Sequence, residues 1–183
     1  MIITNNEEAL RMPCENVAEE EINGLICALE SELNHVNRLG KGGIGLAAPQ
    51  IGIAKNIAIV RLGDGFNFNL VNAKLEAGFD PITFREEGCL SFPGRVEDTT
   101  RFQEVIISNG VGPSKFIATG MAAVVCQHEL DHLNSILFMD HKIIKPTPIF
   151  IKNKLGPNDP CFCGKIDPST GKIRKFKKCC SRK

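Results

Sequence analysis

Apolar residues recur at intervals of three and four between residues 16 and 39, as Ile22, Leu25, Ile26, Leu29, Leu33 and Val36. That spacing gathers them on one face of an amphipathic helix. Asn16 followed by Glu19 suits a capping-box start, and Gly40 suits a C-terminal stop. Residues 42 to 52 are rich in Gly and Ala and predict a loop or tight turn. Strand-like runs follow at Ile57 to Arg61, at Phe66 to Val71, where polar and apolar positions alternate, and at Thr100 to Ser108. Asn109-Gly110 is a turn signal, which makes Lys115 to Ala118 the returning partner strand. Helical spacing resumes over residues 119 to 135, and Pro146 and Pro148 mark a boundary. No internal repeat is present. Strands surrounding two helices predict an α+β domain, with the later helix buried among the strands.

Composition changes this picture mainly at the C-terminus. The 183 residues, 43% hydrophobic and 23% charged, suffice for one ordinary domain with a real core plus a small appendage. We place the division at 1–145 and 146–183. There is no apolar run of eighteen residues, so no membrane span is expected. Met1 to Pro13 lacks a basic region followed by an apolar stretch, so the expectation is a cytoplasmic protein, and we expect a monomer. Net charge is +1, but residues 1 to 145 carry a balance of −7 and residues 146 to 183 a balance of +8. An acidic body with a basic tail suggests a tail that meets polyanions. Cysteines follow the same division. Cys14, Cys27, Cys89 and Cys126 are scattered, whereas Cys161, Cys163, Cys179 and Cys180 crowd the tail, where clustering in a reducing compartment reads as metal ligation.

The segment His128-Glu129-Leu130-Asp131-His132 carries the sharpest chemistry. Residues four apart share a helix face, so His128 and His132 can point at one metal, and Glu129 can take a proton from water held there. Met121, Val124 and Val125 extend the same stripe. Zincin proteases take a third ligand downstream, but here only His141 follows, without a Gly-Met turn pattern. Upstream, Glu87-Gly88-Cys89-Leu90-Ser91 offers a thiolate, although an isolated cysteine is more often a small buried hydrophobe. Gly43-Ile44-Gly45-Leu46-Ala47-Ala48-Pro49-Gln50 lacks the marks of a phosphate loop. Its glycines would let an extended peptide come close, and the Gln50 amide could donate to an oxyanion.

In this order, the three segments resemble the peptide deformylase family, which is known by GxGLAAPQ, EGCLS and HExDH. The resemblance covers residues 1 to 145. It implies an α+β fold in which antiparallel sheets surround the HExDH helix, and removal of the formyl group from the N-terminal formylmethionine of new peptides. It implies a divalent metal, Fe²⁺ with Zn²⁺, Ni²⁺ or Co²⁺ as substitutes, held by Cys89, His128 and His132. Glu129 would move the proton, and Gln50 with the Leu90 backbone N–H would meet the oxyanion. Ile44, Gly45, Glu87 and Gly88 would border the peptide, and Val124 and Val125 would line the methionine pocket. Arg101 resembles a family position to which we assign no chemical role. The chain departs from the family at Ser135, where Gly is usual, and in its reduced opening Leu10-Arg11-Met12-Pro13. The Asn109 to Ser114 connection is short, and no C-terminal helix is evident after Lys145.

The tail, with Cys161-Phe162-Cys163-Gly164 and Cys179-Cys180, resembles the SEC-C motif. That resemblance implies a structural Zn²⁺ on Cys161, Cys163, Cys179 and Cys180, in a module too small to fold without metal. Lys172, Arg174, Lys175, Lys177 and Lys178 could dock it on the ribosome or another polyanion.

Overall fold

The computed structural model describes residues 1–63 and 65–143. The tail with its four cysteines lies outside the described residues. A single turn, α1 (Glu7–Leu10), is capped by Asn6, whose side-chain oxygen accepts from the Ala9 N–H at 3.1 Å. The long helix α2 (Ile22–Arg38) buries Leu29, Leu33 and Val36, the face its spacing predicts. Its start differs from the Asn16–Glu19 expectation. A 3-10 turn, Glu19–Glu21, leads in, and Glu21 reaches back to accept from the Ala18 N–H at 2.9 Å. Gly40 ends the helix region at φ +75.

Among the described residues, six strands form two antiparallel three-stranded sheets. The first holds β1 (Gly45–Ala47), β2 (Ile57–Arg61) and β3 (Asn67–Val71), in that order. Residues 42 to 52 are therefore not all loop: β1 is followed by a 3-10 turn, Ala48–Ile51. The second sheet holds β4 (Lys74–Gly88), β5 (Val96–Ser108) and β6 (Lys115–Thr119). Strand β4 has no counterpart in the sequence reading. Most of its side chains are exposed, it contains Pro81, and two register shifts break its pairing with β5, so no alternation marks it.

Helix α3 (Gly120–Leu133) contacts β1, β2, β4, β5 and β6. Small residues let the layers close: Ala122, Ala123 and Cys126 pack with Ala47, Ala58 and Ala118. On the other face of the first sheet, Leu46, Ile57 and Ile59 pack against Leu29, Leu33 and Val36 of α2. Burial on both faces explains why Ile57-Ala58-Ile59-Val60 is apolar without alternation. Gln127 completes the edge of β5. Its amide accepts from Phe102 N and donates to Phe102 O, both at 2.9 Å, as a neighbouring strand would.

The N-terminal segment ties distant loops together. Ile3 N–H donates to Gln50 O at 2.7 Å, and Asn5 N–H donates to Ser91 O at 2.9 Å. Arg11 donates to Ser135 O at 3.1 Å and to both oxygens of Asp140 at 2.7 and 2.9 Å. Arg11 holds the Asp140 carboxyl below its ordinary value. A depressed carboxylate stabilises the fold above its unfolded pKa, and that contribution fades as pH falls through the folded one. Asp140→Asn is therefore expected to lower unfolding stability at pH 7 by about 0.5 kcal/mol, the pair being partly exposed. Urea titrations of both forms should show the gap closing at the acid end.

Ser135 sits at φ +63, the left-handed region that favours glycine. Its hydroxyl donates to Met12 O at 3.2 Å. Relief of strain should outweigh that exposed bond, so Ser135→Gly is expected to raise stability by about 0.5 kcal/mol. A lower urea midpoint would mean that the hydroxyl bond dominates.

Candidate metal centre

Helix α3 presents His128 and His132 on one face, with ring centroids 5.0 Å apart. Strand β4 delivers the third group. Its last residue is Gly88, and the chain then turns at Cys89, whose carbonyl accepts from the Phe92 N–H at 2.9 Å. Cys89 Sγ lies 3.3 Å from His132 Nε2. The three candidate ligand atoms all fall within 4.8 Å of one another. One thiol sulfur and two imidazole nitrogens converging with cavity on one side form a donor set that fits a four-coordinate divalent ion with an open place.

A buried network orients His128. Its Nδ1 lies 2.6 Å from Glu87 Oε1, so Nδ1 carries the donated hydrogen and Nε2 is left for a metal. Arg101 donates to Glu87 from Nε at 2.8 Å and from Nη2 at 2.6 Å, and Thr99 Oγ1 donates at 2.5 Å. Arg101 Nη1 also reaches Asp131 Oδ2 at 2.6 Å. Burial alone would push the Glu87 carboxyl up. Hydrogen bonds from His128 and Arg101 more than offset it and hold the group at about 2. Burial and the charges of His128 and Arg101 hold His132 well below its ordinary value, as a neutral ligand requires. At His128 burial acts downward, but Cys89, Glu87 and Glu129 outweigh it and the ring is held high. A cation held there would take over the role of that proton.

Glu129 is buried, and among the described residues its Oε2 has no hydrogen-bond partner. Burial first, then Asp131 and Glu87, raise its carboxyl to about 7, while His128 pulls the other way. An orphaned carboxylate oxygen of this kind needs a partner, and water at a metal would provide one. Gln50 is positioned by its own turn. Oε1 accepts from the Ala47 N–H at 2.9 Å, which aims Nε2 at Ser91 Oγ, 3.1 Å away, and at Cys89 Sγ, 3.4 Å away. Cys126, by contrast, belongs to the core, and burial and Glu129 push its thiol to about 12.

A cavity of about 580 Å³ opens on these groups. Ile44, Gly45, Gly88, Leu90, Val124 and Val125 line it, as do Gln50, Cys89, His128 and Glu129. Met121 also lines it but is half exposed, at the rim rather than the floor. Glu87 borders the cavity too, yet its expected place against the peptide needs correction. Both its oxygens are engaged by His128, Arg101 and Thr99, so it holds a histidine rather than a substrate. The sequence reading did not anticipate Phe84, Arg95, Val96 and Lys41 in this lining. Phe84 lies on the unpredicted strand, Val96 starts β5 ahead of the stretch expected as strand, and Arg95 and Lys41 lie outside strands and helices, so no periodicity singles them out. Arg101 was also left without a role. A lone arginine in a predicted strand was the available signal, since a charge facing inward must be paired.

A model of the family described as Polypeptide deformylase matches residues 1–147. Peptide deformylase 1 of Clostridium perfringens is 36% identical over 143 residues, covering 76% of this chain and 95% of that protein. Peptide deformylase of Aquifex aeolicus is 33% identical over 149 residues, covering 76% and 85%. Among solved structures, a peptide deformylase from Synechococcus elongatus in complex with actinonin superposes with a TM-score of 0.69 at 32% identity, covering 78% of each chain. A Met-Ala-Ser-bound peptide deformylase from Acinetobacter baumannii gives 0.65 at 26% identity, covering 77% and 96%.

Proposed function

The chain belongs to the polypeptide deformylase family and removes the N-formyl group from nascent peptides, and we propose that it does so with the groups gathered around Cys89, His128 and His132. The observation that carries this assignment is the convergence of those three ligand atoms beside a buried, unpartnered Glu129 oxygen. These three residues hold a divalent metal, which supplies Lewis acidity toward water and the formyl carbonyl. Glu129 accepts the proton of the attacking water and passes it to the departing amine nitrogen. Gln50 Nε2 turns from its weak bond to Cys89 Sγ toward the developing oxyanion, where the Leu90 backbone N–H joins it. Glu87, fixed by Arg101, keeps His128 in the tautomer that ligation needs. Ile44, Gly45 and Gly88 border the peptide, and Val124 and Val125 receive the methionine side chain.

The physiological metal is Fe²⁺, with Zn²⁺, Ni²⁺ or Co²⁺ able to replace it, a reading supported by the family resemblance and the mixed thiolate–imidazole set. The enzyme acts in the cytoplasm as a monomer. Residues 146–183 form a separate zinc module on Cys161, Cys163, Cys179 and Cys180 that docks on the ribosome through its basic side chains. The motif and the +8 balance of that segment support this.

The test is an anaerobic assay of formyl-Met-Ala-Ser and acetyl-Met-Ala-Ser with each metal in turn. Formate release from the first peptide and no cleavage of the second are expected. Absence of formate with all four metals would sink the assignment.

A further inference from the structure

Two lips border the cavity. On one, the loop after α2 runs through Lys41 to Gly45 of β1. On the other, β4 ends at Gly88 and the chain turns through Cys89 to Arg95. The lips meet closely, since a Cβ on Gly43 would lie 2.8 Å from Leu90 Cδ1. Hydrogen bonds hold both. Lys41 N–H donates to Val36 O at 3.2 Å. Asn37 clasps Gly43, accepting from its N–H at 2.6 Å and donating to its carbonyl at 2.9 Å. Arg95 N–H donates to Phe92 O at 3.1 Å, and Phe92 is buried.

The charges on this rim have one sign. Lys41 and Arg95 are the exposed charged residues among those that line the cavity. The lining carboxylates, Glu87 and Glu129, are buried, and Arg101 pairs with the first. No ion pair engages Lys41 among the described residues. Arg95 has a loose one, with Nη2 and Nε 3.3 and 3.4 Å from Glu97 Oε1, and its side chain stays 44% exposed. Glu97 is shared, because its other oxygen holds Lys142 Nζ at 3.0 Å. Two cations against one carboxylate leave a positive charge beside the opening. The rest of the body has the opposite sign, with a balance of −7 over residues 1 to 145. The field of an acidic body favours basic peptides, whereas a cationic rim favours acidic ones at short range.

We propose that Lys41 and Arg95 are specificity-determining residues, which select formylated peptides carrying acidic side chains directly after the methionine. The inference rests on the peptide path given under Proposed function. An extended chain with its methionine at Val124 and Val125 rises about 3.3 Å per residue toward the rim, so its second and third side chains come within reach of long basic ones. Lys41 and Arg95 touch no reacting atom and leave the chemistry itself unchanged.

The test uses the full chain loaded with Co²⁺ and three C-terminally amidated peptides, formyl-Met-Glu-Glu-Ser, formyl-Met-Gln-Gln-Ser and formyl-Met-Lys-Lys-Ser. Amidation removes the terminal carboxylate, which the same cations could bind. An exposed ion pair is worth a few-fold at most, so two should make kcat/KM about tenfold higher for the Glu-Glu peptide than for the Lys-Lys peptide at low salt, with Gln-Gln between. At about 0.5 M salt the ratio should fall to about twofold or less. It should fall likewise in the double variant Lys41→Gln, Arg95→Gln, and drop below one in Lys41→Glu, Arg95→Glu. A ratio between peptides cancels any general loss of activity, and the parent's salt dependence decides the matter even where a variant fails to fold. Equal cleavage of the two charged peptides by the parent, or preference for Lys-Lys, overturns the inference. So does a Glu-Glu preference that survives high salt or the double Gln substitution. If no peptide yields formate, Gln-Gln included, the reading under Proposed function has failed, and that result is distinct.

Discussion

Replacing Glu129 by Gln is expected to lower kcat for formyl-Met-Ala-Ser by about 10³-fold or more, within the range for loss of a general acid–base group or above it. The substitution keeps shape and volume, so the cavity and the three ligand atoms should stay in place. What it removes is the ability to take a proton from water and return it to the amine. Glu129 is not among the three converging donors, so a metal held at Cys89, His128 and His132, as proposed, should remain. The measurement pairs steady-state kinetics with metal analysis of the same sample. A variant that keeps its metal and near-normal kcat would remove Glu129 from the mechanism. A variant that loses the metal would make it a ligand.

An almost equally large effect is expected from one methyl group on Gly45. A Cβ there would lie 2.2 Å from Glu129 Oε1, 2.8 Å from Cδ and 3.0 Å from Cγ. The backbone cannot yield, whereas the Glu129 side chain borders the cavity and can turn. Gly45 pairs with Val60 in the first sheet and is buried, and Glu129 is buried on α3. The carboxylate must therefore swing out of its place. Gly45→Ala is expected to lower kcat/KM by about 10²-fold, since small misplacements of a reacting group cost that much. Overpacking should also reduce stability by about 1–3 kcal/mol. Gly24→Ala is the control. That position is exposed on α2, with nothing within 4 Å of the added carbon. It should leave kcat/KM unchanged and raise stability by about 1 kcal/mol. If Gly45→Ala retained full activity, the glycine would serve the backbone alone and Glu129 would not be packed against it.

The sequence showed the site better than the sheets that carry it. His128 and His132 are related by helical spacing, a local property, and Gln50 caps its own turn three residues back. Cys89 could be joined to them only by resemblance, because the contact spans β4 and α3, and pairing across such distances leaves no periodic mark. Strand β4 was missed for the same reason that it matters. It is a long, exposed arm bent by bulges, so its side chains do not alternate between water and core, yet its end places Cys89. The Glu87–Arg101–Asp131 triad was invisible as a unit. Each member is an ordinary charged residue until β5 turns Arg101 inward, where only 2% of its side-chain surface remains exposed.

The N-terminal segment has a consequence for when this enzyme becomes one. Ile3 and Asn5 clasp the backbones of Gln50 and Ser91, and Arg11 clasps Ser135 and Asp140. These contacts join the start of the chain to points near its middle and to the end of the described domain, so each closes a long loop, and such pairings form late. Gln50, Ser91 and the histidine helix come into register only when those loops have closed. A ribosome-bound chain lacking the stretch around Asp140 would hold Gln50 and Cys89 without a working centre. Activity should therefore appear in a single late step of synthesis rather than growing with chain length.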